Sequence, residues 1–124
     1  MFPENLKYSH DHEWLKMDGE IALIGITEYA AEQLGDIVFV DVNTVGDTIA
    51  QNEVFGSIEA VKTVSDLLLP ISGEIVEFNE ELEANPALIN SDPYNAGWII
   101  KIKPTDVSEM DALLTAEQYT EEIA

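Results

Sequence analysis

Short runs of strand-forming residues, each closed by a turn signal, constrain this chain more than any other feature. The runs cover 20–27, 36–42, a stretch climbing to Lys62, Val64 to Leu69, 74–78 and 97–103. Between them stand Met17-Asp18-Gly19-Glu20, Val45-Gly46-Asp47, Asn52-Glu53, Pro70-Ile71-Ser72-Gly73 and Asp92-Pro93. Turn signals at intervals of roughly 8–12 residues predict short strands in a mainly β barrel or sandwich. In the first run Ile21, Leu23 and Gly25 fall on one face and Ala22, Ile24 and Ile26 on the other. Thr27 is placed to cap a short helix over 28–34, stopped at Gly35, and 80–84 reads as one helical turn. Residues 85–95 read as loop, and residues 5–16 as an extended lead-in anchored by Trp14. Ser108 and Thr115 mark helix starts, the second a capping box with Gln118. A helical flank over about 105–123 then rests Leu113, Leu114, Tyr119 and Ile123 on the β body, and residues 1–124 form a single domain. Gly35-Asp36-Ile37-Val38-Phe39-Val40 loosely echoes Gly73-Glu74-Ile75-Val76-Glu77-Phe78, suggesting two similar halves.

Composition removes several function classes. There is no cysteine, so thiol or redox chemistry has to come from an added group. His10, Asp11, His12 and Glu13 lie together, but adjacent strand positions point to opposite faces, so His10 and His12 would share a side with no third ligand in view, and no metal site is expected. The chain carries 25 acidic residues against 5 lysines, a formal net charge of −20. Phosphate backbones would be repelled, so nucleic-acid binding is not expected. The surplus suits a solvated surface in a salty medium, or docking onto basic rims of partner proteins. No apolar run approaches a membrane span, and no basic stretch precedes an apolar one at the start. The expected location is the cytoplasm of a bacterium, or the mitochondrial matrix for a processed eukaryotic form. Nothing resembles Gly-x-Ser-x-Gly or a phosphate-cradling glycine loop.

One position stands out. Strand-like residues lead into Lys62 and out of it, which places this lysine at or near a hairpin tip with its amine in water. The turn holds no Gly or Asn, so a type I-like turn is expected in place of a primed one. Such a lysine is either a solvated loop residue or an attachment point.

Motifs across nearly the whole chain bear on that choice. They are His12-Glu13-Trp14; Gly25-Ile26-Thr27 with Tyr29-Ala30; Leu34-Gly35-Asp36-Ile37-Val38-Phe39-Val40; Gly56-Ser57-Ile58-Glu59-x-Val61-Lys62; Pro70-Ile71-Ser72-Gly73-Glu74-Ile75-Val76; Leu88-Ile89-Asn90-Ser91-Asp92-Pro93-Tyr94; and Gly97-Trp98. In this order they resemble the H-protein family of the glycine cleavage system, carriers built on a lipoyl domain. The resemblance implies a flattened barrel-sandwich hybrid of the lipoyl/biotinyl type, with short flanking helices and a helical C-terminus. It implies lipoate joined as an amide to Lys62, and a non-catalytic carrier and co-substrate, a monomer. The arm would take an aminomethyl group from a glycine decarboxylase to an aminomethyltransferase and electrons to a dihydrolipoyl dehydrogenase, after a lipoate ligase or transferase has loaded it. Glu13 and Asp66 match carboxylates that contact the arm in the family, and Asp11 falls where a serine contact is usual.

Some positions depart from the family pattern. Ala60 replaces a serine two residues before the lysine, Thr63 an alanine just after it, Val42-Asn43 a Leu-Pro, and Asn95-Ala96 a glycine and an acid. An H-like relay of lipoate to other enzymes is one alternative. A biotin carrier is another, although such carriers favour methionine on both sides of the lysine, where this chain has Val61 and Thr63.

Overall fold

A computed structural model describes residues 2–123. Nine strands form two antiparallel sheets. They are β1 (Lys7–Tyr8), β2 (Glu13–Asp18), β3 (Ile21–Ile26), β4 (Ile37–Asp41), β5 (Thr48–Ile49), β6 (Val54–Ala60), β7 (Val64–Leu68), β8 (Gly73–Phe78) and β9 (Ile100–Pro104). The larger sheet runs β1-β2-β3-β9-β8-β5 and the smaller β4-β6-β7, so strand edges remain and neither sheet closes on itself. Between them lies the main core, to which the larger sheet contributes Leu15, Ile24, Ile75 and Ile102 and the smaller Ile37, Val40, Phe55, Ile58 and Leu67. This is the expected flattened sandwich: along β3 and β9 every second side chain turns inward, while bulges in β4, β6 and β8 shift the alternation.

Helices close the ends. α1 (Glu28–Leu34) starts where Thr27 Oγ1 accepts the Ala30 N–H and stops at Gly35, whose φ of 82° suits a residue without a Cβ. α2 (Glu81–Ala84) is the expected single turn. A second short helix, α3 (Leu88–Ser91), occupies part of the stretch read from sequence as loop, because Ile89 is drawn into the core. A 3-10 segment (Val107–Ala112) precedes α4 (Ala116–Ile123). Asp106, rather than Ser108, caps the 3-10 segment. Thr115 and Gln118 form the capping box reciprocally, at 3.2 and 3.0 Å.

Two other expectations change. The lead-in is not extended throughout: β1 and β2 make a hairpin, and residues 9–12 form its turn, with His12 at φ 69°. Alternation therefore does not apply to His10 and His12. The last strand starts at Ile100, and Trp98 lies outside it with the Lys101 ammonium 5.0 Å from its ring centroid.

The second echoed hexad is strand β8 and the first supplies most of β4, one in each sheet, and they share a defect. Val38 is an extra residue between the register partners of Ile37 and Phe39, and Val76 between those of Ile75 and Glu77. A bulge at equivalent positions puts each valine outward, 45% and 38% exposed.

Candidate functional site

Hairpin β6–β7 is rooted in the core through Phe55, Ile58, Ala60 and Leu67. The Ala60 N–H donates to the Thr63 carbonyl at 2.8 Å, which leaves Val61 and Lys62 at the tip. Neither has positive φ, in keeping with the absence of Gly and Asn from the turn. The Val61 N–H donates to the Asp36 carbonyl at 3.1 Å and ties the tip to the strand beside it. Lys62 is exposed and forms no ion pair with another described residue. Its amine is presented to solvent on a stiff support.

Along β7 from this tip the chain borders a cleft of about 310 Å³. Ser65, Asp66 and Leu67 form one side, Tyr29, Gln33 and Leu34 of α1 another, and Asp11, His12 and Glu13 of the β1–β2 turn a third; Ile26 and Ile58 line it as well. Asp66 lies on β7, four residues beyond Lys62. The cleft thus gathers Asp11 and Glu13 with Asp66, which the sequence places far from them.

The three carboxyls differ. Asp11 and Asp66 are exposed, whereas Glu13 is 3% exposed. The Ser9 hydroxyl donates to Glu13 Oε1 at 2.7 Å, and the Leu68 N–H to Oε2 at 3.3 Å. Burial pushes the Glu13 carboxyl up to about 8, and the negative charge of Asp11 adds to the rise. Ser9 and Leu68 oppose it without cancelling it. A carboxyl held this way keeps its proton near neutrality and loses it to solvent when a cation brought alongside stabilises the carboxylate.

The histidines part company. His10 pairs with Glu122 at the surface, and His12 Nδ1 lies 2.8 Å from the Tyr119 hydroxyl. Among the described residues no group of three or more His, Cys, Asp or Glu is placed to hold a metal. Ser9 and Tyr119 had no signal as site residues. A serine four residues before a glutamate is unremarkable, and Tyr119 reaches the site from the opposite end of the chain.

The family model for the glycine cleavage H-protein matches residues 6–124. The chain belongs to the glycine cleavage H-protein family. Glycine cleavage system H proteins of Bacteroides thetaiotaomicron and Bacteroides fragilis are 61% and 58% identical over 118 residues, spanning 95% of this chain and 94% of theirs. A crystal structure of a glycine cleavage system H protein from Mycobacterium marinum superposes with a TM-score of 0.89 at 42% identity, covering 98% of both chains.

H proteins are the lipoyl carriers that shuttle intermediates among the enzymes of glycine cleavage, and this chain is one of them. No described helix is long and apolar enough to cross a membrane. In this H protein the departures nearest the lysine spare the amine. Ala60 turns its methyl into the core, where a serine would bury a hydroxyl, and Thr63 lies in solvent.

Proposed function

We propose that Lys62 carries the lipoyl group as an amide, and that residues 1–124 form one carrier domain taking no catalytic step itself. The observation that supports this is the unpaired, exposed amine at the tip of a hairpin rooted in the core, with an acid-lined cleft along the same strand. Lipoate, when attached, supplies the sulfur chemistry that a chain without cysteine lacks, accepting a one-carbon unit and electrons. The chain's own residues do the rest. The hairpin holds the amine out for the ligase or transferase that loads it, and later presents the arm to a glycine decarboxylase, an aminomethyltransferase and a dihydrolipoyl dehydrogenase. Tethering raises the arm's effective concentration at each pocket during an encounter. Glu13, Asp66 and Asp11 form the resting place of the loaded arm, where apolar walls exclude water and Glu13 can ionise beside a cationic end. The carrier works as a monomer in the bacterial cytoplasm, and its acidic surface orients it on basic partner rims.

Intact mass and peptide mapping of protein expressed with lipoate test the assignment. A lipoyl increment on the Lys62 peptide is expected. A biotinyl increment, or a bare lysine in the presence of an active ligase, would overturn it. Glycine–bicarbonate exchange with a glycine decarboxylase separates the glycine cleavage carrier, which supports exchange, from a lipoate relay, which does not.

A further inference from the structure

Three segments distant in sequence meet at one phenol. The Tyr119 hydroxyl lies 2.8 Å from His12 Nδ1 and 2.8 Å from Thr27 Oγ1. Thr27 also accepts the Ala30 N–H at 3.2 Å as the cap of α1, and its own N–H donates to the His12 carbonyl at 3.0 Å. His12 belongs to the turn that carries Glu13, while Tyr29 and Ala30 belong to the helix bordering the same cleft. Two cleft walls are therefore fastened to a single oxygen.

Counting protons gives this knot a direction. Thr27 is fully buried, so its hydroxyl hydrogen needs an acceptor, and one of its lone pairs already serves Ala30. The arrangement that leaves no buried hydrogen idle runs from Thr27 Oγ1–H to the Tyr119 oxygen, and from Tyr119 O–H to His12 Nδ1. His12 is then the tautomer with its proton on Nε2. Its backbone sits at φ 69°, a conformation that a residue with a Cβ holds when its surroundings fix it.

We propose that Tyr119 is a positioning residue for the cleft: through its hydroxyl, the C-terminal helix holds the turn that buries Glu13 against the capped end of α1. This rests on the reading of the cleft as the arm's resting place. A plain core role would need the ring alone, which stacks on Tyr8 at 4.9 Å between centroids and meets Phe2 edge-on at 4.9 Å. Tyr119→Phe keeps that ring and removes the oxygen.

The test is an NMR titration of the Glu13 carboxyl and the His12 ring nitrogens in the unmodified protein. Ser9 and Asp11 from the turn, the Leu68 N–H of β7 and Asp66 beside the cleft are the groups facing Glu13, and the variant changes the chemistry of none of them. A shift therefore reports water entering as the turn loosens. In Tyr119→Phe the Glu13 midpoint is expected to fall from about 8 by about one unit or more, and His12 to lose its Nε2–H preference. His12→Asn tolerates the left-handed backbone but is too short to reach Tyr119, so it is expected to give the same shift. The double variant adds nothing further, because both changes cut one link. Thr27→Ser, which keeps cap and hydroxyl, titrates as wild type. Should Tyr119→Phe lose cooperative melting, His12→Asn carries the test. An unchanged Glu13 midpoint in the single variants, or additive shifts in the double, overturns the positioning role. If loading the arm leaves the wild-type Glu13 resonance unmoved, the cleft is no resting place, and the positioning role falls with that reading.

Discussion

Glu13 is where local chemistry and stability meet. Its folded carboxyl titrates at about 8 against an ordinary 4.5. Between those values the folded chain holds a proton that the unfolded chain has released, so this residue's contribution is full below about 4.5 and is lost as pH rises through about 8. In that window it lowers stability by up to about 1.4 kcal/mol per pH unit. Glu13→Gln keeps the size and an acceptor for Ser9 while removing the titration. Urea unfolding at a series of pH values should therefore show the variant gaining on wild type as pH rises across the window, with the two curves parallel outside it. The difference between proteins is the quantity to read, because the many exposed carboxyls give both the same background slope. A constant difference from pH 5 to 8 would show that Glu13 is ionised in the fold and that burial is outweighed by Ser9 and Leu68.

The lysine hairpin shows how one element divides its work between root and tip. Lys62→Ala is expected to leave the urea midpoint unchanged within error while abolishing modification, because the Lys62 side chain is exposed and pairs with no other described residue. Six residues earlier the same strand has no slack. A Cβ on Gly56 would stand 2.6 Å from the Asp41 carbonyl oxygen and 2.9 Å from Val42 Cγ2. Gly56→Ala must push β4 away from β6, and a loss of about 1–3 kcal/mol in urea unfolding is expected. A neutral Gly56→Ala would mean that β4 yields freely and that the hairpin is not rigidly supported. This division also explains what the sequence discloses. Strand β3 was legible because a buried face forces alternation, β4, β6, β7 and β8 because strand-forming runs end in turn signals, and the hairpin because two such runs flank one lysine. The turn at 9–12 was not, since it contains no glycine and takes its left-handed residue at His12. Nor was α3, whose four residues are too few to show a helical period. Glu13, Asp66 and Asp11 were suggested by family resemblance alone, and in the structure all three line one cleft. The His12–Tyr119 contact spans 107 positions, and no local pattern encodes it.

At the scale of the whole molecule, charge sets behaviour that packing does not. A formal net charge of −20 is spread over a chain with 5 lysines and no arginine. Among the described residues Lys101–Glu77 is the only lysine–carboxylate pair, and His10 contacts Glu122. Most carboxylates therefore face others of like sign, and compaction raises their mutual repulsion relative to the unfolded chain. Salt shortens the reach of that repulsion to about 10 Å at 0.1 M and about 3 Å at 1 M. Melting temperature should rise by several degrees between low salt and about 0.5 M sodium chloride, each kcal/mol of relief moving it by about 4 °C. Chloride is the right anion for the experiment, since sulfate would also strengthen apolar burial and blur the cause. Encounter with a basic-rimmed partner should respond in the opposite sense, because the screening that relaxes the carrier also weakens its steering. Stability rising and association rate falling over one salt series is thus the joint signature of an acidic surface that orients the carrier on its partners. A melting point that falls steadily with salt would mean that attractive pairs dominate the surface, against the distribution of charge in this fold.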